Sequence, residues 1–406
     1  MNSRDRVLAA LNHVETDRVP IDLSGYRSSG ISAIAYPRLR AYLGLEPRPV
    51  RVYDIQQQLA IVDEDVLSQF DVDTIELGRS FALDDEDWAA WTLPDGSPCQ
   101  VPAWTLPERV DRGWVIRSQT GRIIARMPDG GLYFESAYFP WAEEEPDHGK
   151  IVEAMAECMW NIPTPPGPLV EGPDGDRLLV EGARRLREST DRAIVALFGC
   201  NLLEWGQFLY RNDNFLAMLA AEPDRAHDLL ERLTELHMKG LEKFLGLVGQ
   251  YIDVINFNDD LGMQTGPQIS PRMYREFFKP RHARLWQRAK DAGVKAMLHS
   301  CGDIRLLLPD LIEAGLDAVN PVQVSCKGME PEGLKRDFGK DITFWGGGCD
   351  TQWLLSHGTP EEVTKHVKHQ VEVLRHDGGF VFQQVHNILA DVPPQNIVAM
   401  FDAARA

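Results

Sequence analysis

The feature that most narrows what this chain can fold into is a repeated alternation. Eight short runs, nearly apolar throughout and bounded by turn residues, are separated mostly by stretches of helical periodicity. The first four are VPIDL near Val19, VDTIEL at 72–77, AIVALF at 193–198 and YIDVINF at 251–257. The later four are VKAMLH at 294–299, LDAVNP at 316–321, DITFWG at 341–346 and GGFVFQ at 378–383. A run that is apolar at every position fits a parallel strand covered on both faces. Parallel strands need crossovers, and helical patterns over 223–248, 270–293, 302–315 and 359–379 supply them. Several open on Ser, Thr or Asp ahead of Pro or Glu, and three close on Gly, as helix caps do. Pro280 falls inside one pattern and predicts a kink or a break. Eight strands with intervening helices predict an α/β fold, a (β/α)8 TIM barrel. The open doubly wound sheet would be favoured by a GxGxxG turn after the first strand, and the sequence has none there.

One stretch departs from the alternation. From about residue 85 to residue 147 the pattern is strand, Gly-containing turn, strand, which predicts antiparallel hairpins inserted after the second core strand and folded over one end of the barrel. The Pro-rich segment 161–176 reads as a connector, because the alternation resumes directly after it. The expectation is therefore a single barrel domain over 1–406.

Lys plus Arg total 42 against 61 Asp plus Glu, a net charge of −19. Such a surface repels phosphate backbones and anionic lipid, which argues against nucleic-acid and membrane partners. The amino terminus lacks the apolar core of a signal peptide, and no run approaches the ~18 apolar residues of a membrane span. Six sparse cysteines fit a reducing, cytoplasmic setting better than a disulfide scaffold. Of these, Cys99, Cys158 and Cys200 read as buried filler.

In such a barrel the reacting groups come from the carboxyl ends of the strands. Here those ends carry Asp22, Glu76, Asn201, Asn256, Asn258, Asp259, Asp260, His299, Cys301, Asn320, Gln323, Cys349, Asp350, Gln383, Gln384, His386 and Asn387. Holding a barrel together requires no such ring, so something polar binds there. The sharpest element is His299-Ser300-Cys301-Gly302. Side chains two apart at a strand end point to the same side, so imidazole and thiolate can reach one ion, and both suit Zn²⁺. The third donor is open between Cys349 and His386. Cys349 is favoured, since the three glycines before it leave room for backbone to approach a ligand. His386 would then be a displaceable fourth ligand or an acid/base facing the substrate.

With these residues in hand, the chain resembles the uroporphyrinogen decarboxylase superfamily. The stretches that carry the likeness are MNSRDRVLAALNHVETDRVPID, FNDDLGMQTGPQISPRMYREFFKP, HSCGDIRLLLPDLIEAGLDAVNPVQ, FWGGGCDTQWLLSHGTPEEV and VHNILADVPPQNIVAMFDAA. The superfamily includes porphyrinogen decarboxylases and zinc methyltransferases that work with corrinoid proteins. The decarboxylases carry an Arg-Gln-Ala-Gly-Arg motif after the first strand to hold substrate carboxylates. At that place this chain reads IDLSGYRSSG, with Arg27 the only cation. The methyltransferase branch uses an HxC pair, matched by His299 and Cys301, and a later Cys near the last strand, where this chain carries His386.

The resemblance implies a zinc enzyme that moves a methyl group between a small substrate, a methoxylated aromatic or a thiol, and a corrinoid (cobalamin) carried by a separate partner protein. Zinc would sit on His299, Cys301 and Cys349. Asp259 or Asp260 would position substrate or manage a proton, with His386 as a further catalytic group and Asn258, Gln323 and Arg27 binding substrate. Self-association into a homo-oligomer stays open. Two other readings stand beside it: a lyase acting on a small carboxylic acid, with Asp260 as electrostatic partner and His386 as proton donor, and a non-catalytic zinc-bound adaptor or sensor.

Overall fold

The computed structural model describes residues 1–143 and 146–406. Seven parallel strands form one curled sheet in chain order. They are β2 (Thr74–Glu76), β3 (Ala193–Gly199), β4 (Val254–Asn258), β5 (Lys295–His299), β6 (Ala318–Asn320), β7 (Thr343–Trp345) and β8 (Phe380–Val381). The first expected run, β1 at 19–23, closes the ring. Ile21 makes a parallel bridge to Phe382 and accepts a hydrogen bond from the Asp73 amide just before β2. All eight runs read from the sequence are thus staves of one TIM-barrel-like fold.

Alternation with period two sorts the side chains. Val195, Val254, Met297, Ala318, Trp345 and Val381 form one buried cluster with Val7, Ala10 and Leu11 of the helix Ser3–Leu11. Their neighbours Ala196, Ile255, Leu298, Val319 and Phe344 belong to the larger core beneath the outer helices. The first set fills the barrel, and the amino-terminal helix plugs its lower end. Registers then align the upper rim: Asn258 lies opposite His299, and His299 opposite Asn320.

The helices agree with expectation at Pro223–Val248 and Pro360–Leu374. Pro280 does not break the helix: a π turn at Tyr274–Phe278 precedes it and runs without interruption into the helix Lys279–Asp291. The helix expected over 302–315 shrinks to Leu308–Glu313. Its first residues are drawn into an antiparallel bridge between Met263 and Asp303, which takes backbone that a helix would have used. The inserted region forms a hairpin, Trp88–Thr92 with Pro98–Pro102, and four antiparallel strands between Glu108 and Ser136. It packs on the connection after β1, where Gln100 N donates to Val50 O and Phe134 N to Gln56 O. Residues 144 and 145, at its expected end, lie outside the described residues. Among the described residues no helix is long and apolar enough to cross a membrane.

The lower rim is held by charge. Fully buried Asp73 accepts from Arg6 Nη1 and Arg18 Nη1 at 2.6 Å each, and from Ile21 N at 2.8 Å. Removing it leaves Arg6 Nη1 and the amide of the closing strand without their acceptor, with Asp17 the acid still paired to Arg6. Asp73→Ala should therefore cost about 3–5 kcal/mol of unfolding free energy, read as a lower urea midpoint at unchanged slope.

Candidate functional site

Inward-facing positions carried two residues further, to the carboxyl ends, exchange the apolar layer for a polar one: Asn256, His299, Asn320 and Gln383, all buried. Asn320 Nδ2 donates to Trp345 O and to Gln383 Oε1, both at 2.8 Å. Gln383 Nε2 in turn donates to Ser28 O at 2.9 Å. With its amide nitrogen so used, Asn320 can only accept through Oδ1, which lies 3.0 Å from His299 Nδ1. Nδ1 therefore carries the ring proton, and Nε2 presents its lone pair to the mouth.

Cys301 Sγ lies 3.5 Å from that Nε2. The thiol is held by its backbone, for Cys301 N donates to Asp260 Oδ1 at 2.7 Å and Gly302 N to Gln323 Oε1 at 2.8 Å. Gly302 has φ +87°, and a Cβ there would fall 2.4 Å from the Gly262 carbonyl carbon. Only glycine lets these two loops meet. Burial, with Asp260 and Glu204 nearby, pushes the Cys301 thiol well above its ordinary range.

His386 completes the cluster. Its ring centre is 5.4 Å from that of His299, edge to face. Donor atoms of His299, Cys301 and His386 all lie within 4.8 Å of one another. Adjacent donors around a tetrahedral zinc sit about 3.3–3.8 Å apart, so small rotations would close the set. Burial, then His299 and Arg27, pull the His386 imidazole down to about 3, leaving it neutral with one nitrogen lone pair to offer.

The expectation of Cys349 in this cluster is corrected. Its thiol is fully buried in the core and faces Asp350 O at 3.7 Å. The three glycines before it serve packing: a Cβ on Gly347 would lie 2.8 Å from Val322 Cβ, and one on Gly348 2.3 Å from the Phe382 ring. The room inferred from the sequence is filled by the chain itself. The carboxylate pair is also split. Asp259 is fully buried, accepting from Leu203 N, Glu204 N and His282 Nε2 at 2.9–3.2 Å, and it holds the start of the helix Leu203–Tyr210. Only Asp260 reaches the open space.

That space is a cavity of about 470 Å³ lined by Asp260, His299, His386, Asn258 and Arg27 among others. Among the described residues Arg27 is its only Lys or Arg, engaged by Asp54 at 2.7 Å and lying over the Trp160 ring. Gln323 spends its carbonyl on the Gly302 turn and is not among the lining residues. Sequence reasoning did not single out Glu204, Trp160 or Phe208, which line the wall with Trp205. Glu204 stands in the first turn of a helix, where an acid ordinarily signals a cap. Here burial, then Asp260 and Asp259, raise its carboxyl well above the usual range. Trp160 precedes a proline-rich connector with no periodicity to betray it.

Comparison with known proteins bears on this geometry. The family model of uroporphyrinogen decarboxylase (URO-D) matches residues 207–406. The methylated-thiol–coenzyme M methyltransferase of Methanosarcina mazei is 28% identical over 155 residues, 37% of either chain. The uroporphyrinogen decarboxylase of Anaeromyxobacter sp. (strain Fw109-5) is 29% identical over 192 residues, 47% of this chain and 50% of that one. The matched stretches thus span half or less of these relatives. A solved structure of a methyltransferase from Methanosarcina mazei shares the fold with TM-score 0.59 and 16% identity, over 100% of this chain and 98% of its own. The donor cluster of His299, Cys301 and His386 thus lies within the stretch that is similar to the uroporphyrinogen decarboxylase (URO-D) family model.

Proposed function

We propose that this protein is a zinc-dependent methyltransferase that moves a methyl group between a small substrate, a thiol or a methoxylated aromatic, and a corrinoid held by a separate protein. The observation that carries the proposal is the meeting of two imidazoles that line a cavity walled by aromatic rings with a thiol 3.5 Å from one of them. The residues fit the ion: one donor tautomer is set by an amide network, a second imidazole is neutral, and the third donor needs a cation to lose its proton. His299, Cys301 and His386 would hold the metal with a position left for substrate, and the relative named for methylated thiols supports this reading. When bound, zinc would supply Lewis acidity, keeping a thiol ionised near neutral pH or steadying a departing alkoxide or phenolate.

The chain's own groups do the rest. Trp160, Trp205 and Phe208 offer flat apolar faces that exclude water around a methyl-bearing group. Asp260 fixes the Cys301 backbone, and Glu204, whose carboxyl burial raises well above its usual range, stands in the cavity wall as a group able to pass a proton to or from the substrate heteroatom. Asn258, whose Oδ1 finds no protein partner, offers a hydrogen-bond acceptor and a donor to the substrate. A second reading, a lyase of a small carboxylic acid, draws on the relative named uroporphyrinogen decarboxylase. A polycarboxylate is disfavoured in either case, because Arg27 is already neutralised by Asp54.

Metal analysis tests the cluster directly. The protein should bind about one zinc per chain, with affinity reduced at least about 100-fold in Cys301→Ser and in His386→Ala and unchanged in Cys349→Ser. Loss of binding in Cys349→Ser but not in His386→Ala would reinstate the other cysteine. Because the Cys301 thiol is protonated before the ion arrives, calorimetric titration at pH 7 in buffers of different ionisation enthalpy should show about one proton released per zinc. Apparent affinity should fall as pH falls, since protons then compete for the thiolate. For turnover, methylcobalamin absorbance should change with a panel of thiols and methoxyarenes. Carbon dioxide release from a carboxylic acid, without methyl transfer, would move the assignment to the lyase.

A further inference from the structure

Glu76, the last residue of β2, has 4% of its surface exposed and lines two cavities, of about 170 and 150 Å³, beside the main one. Among the described residues no hydrogen bond or ion pair within 4.0 Å reaches its carboxylate. The larger of the two cavities collects two more polar groups in the same condition. Tyr53 is 4% exposed and its hydroxyl has no partner, and Arg79 Nη1 has none either, while Arg79 Nη2 donates to Val62 O at 2.6 Å. Buried polar groups are nearly always satisfied, so three unsatisfied ones around one space point to something that occupies it.

The other charged groups of the lining are already engaged. Arg51 binds Gln100 at 3.1 Å, pairs with Asp85 and lies over Trp88. Asp63 is held by Tyr36 at 2.6 Å and Arg40 at 3.0 Å. What remains free is one guanidinium nitrogen with its two N–H groups, one phenol and one carboxylate. The first two donate to an anionic oxygen; the third takes a cationic donor. A phosphate dianion would meet Glu76 as a like charge, and a divalent cation would meet Arg79. At about 30 Å³ per water-sized group, the space holds roughly five or six heavy atoms. Leu83, 57% exposed, marks where it opens to solvent.

We infer that this side cavity is a second ligand site, for a small zwitterion whose carboxylate meets Arg79 and Tyr53 and whose ammonium meets Glu76. The site shares no lining residue with the main cavity, and the inference does not depend on the metal cluster. Burial raises Glu76 to about 7, so the carboxylate gains most from a cation brought to it.

Isothermal calorimetry on the full chain tests this with glycine, alanine, β-alanine and serine, against acetate, ethylamine and inorganic phosphate. At least one zwitterion should bind saturably at one site per chain, with acetate and ethylamine about tenfold or more weaker. Tyr53→Phe and Arg79→Gln should each weaken it about tenfold or more. Tyr53→Phe removes a hydroxyl that bonds to nothing in the protein, so an unchanged melting temperature shows that the variant is folded. Absence of saturable binding by all four zwitterions overturns the proposal. So does binding that both variants leave intact, binding that disappears on chelation of metal while surviving both variants, or a preference for phosphate.

Discussion

Asn320 stands at the end of β6 with every part of its amide committed, and the chemistry of the mouth depends on that commitment. Its nitrogen is held by a backbone carbonyl on β7 and by Gln383, whose own nitrogen is tied to the loop after β1. The oxygen then has one role left, accepting from His299. A network spanning strands on both sides of the barrel seam thus selects which nitrogen of one imidazole faces the cavity. An amide free to flip would leave that choice to solvent.

The same rim concentrates acids where burial disfavours charge. Burial and neighbouring acids raise the Glu204 carboxyl well above its usual range, and they raise the Cys301 thiol in the same way. Asp260 is engaged by the Cys301 backbone. Two imidazoles and a protonated thiol beside two acids form an arrangement that a cation would reorganise at once, since it favours every ionised donor around it. The lower rim follows the opposite logic: Asp73 and Asp253 are paired with arginines and with strand amides, and they stabilise the fold.

Much of the fold was legible because parallel strands buried on both faces leave continuous apolar runs, and all eight runs became staves. The HxC pair was legible for a similar reason, since a spacing of two on one strand means one side of it. The third member was not. Cys349 and His386 lie at neighbouring strand ends, and spacing says nothing about which of them turns toward the ion. Glycines that suggested room for a ligand instead accommodate Phe382 and Val322. Asp259 and Asp260 are adjacent in sequence, yet one caps a helix and the other faces the cavity, because successive side chains at a strand end diverge.

Local pattern by itself therefore determined the barrel, its insertion and the rim on which chemistry could occur, because strand period and turn chemistry act over a few residues. Which donors converge, which acids burial makes harder to ionise and which polar groups are left without partners were decided only by tertiary structure. Those properties depend on distances between segments far apart in the chain and on water excluded by their packing. His386, 87 residues beyond His299, joins it only when the barrel closes.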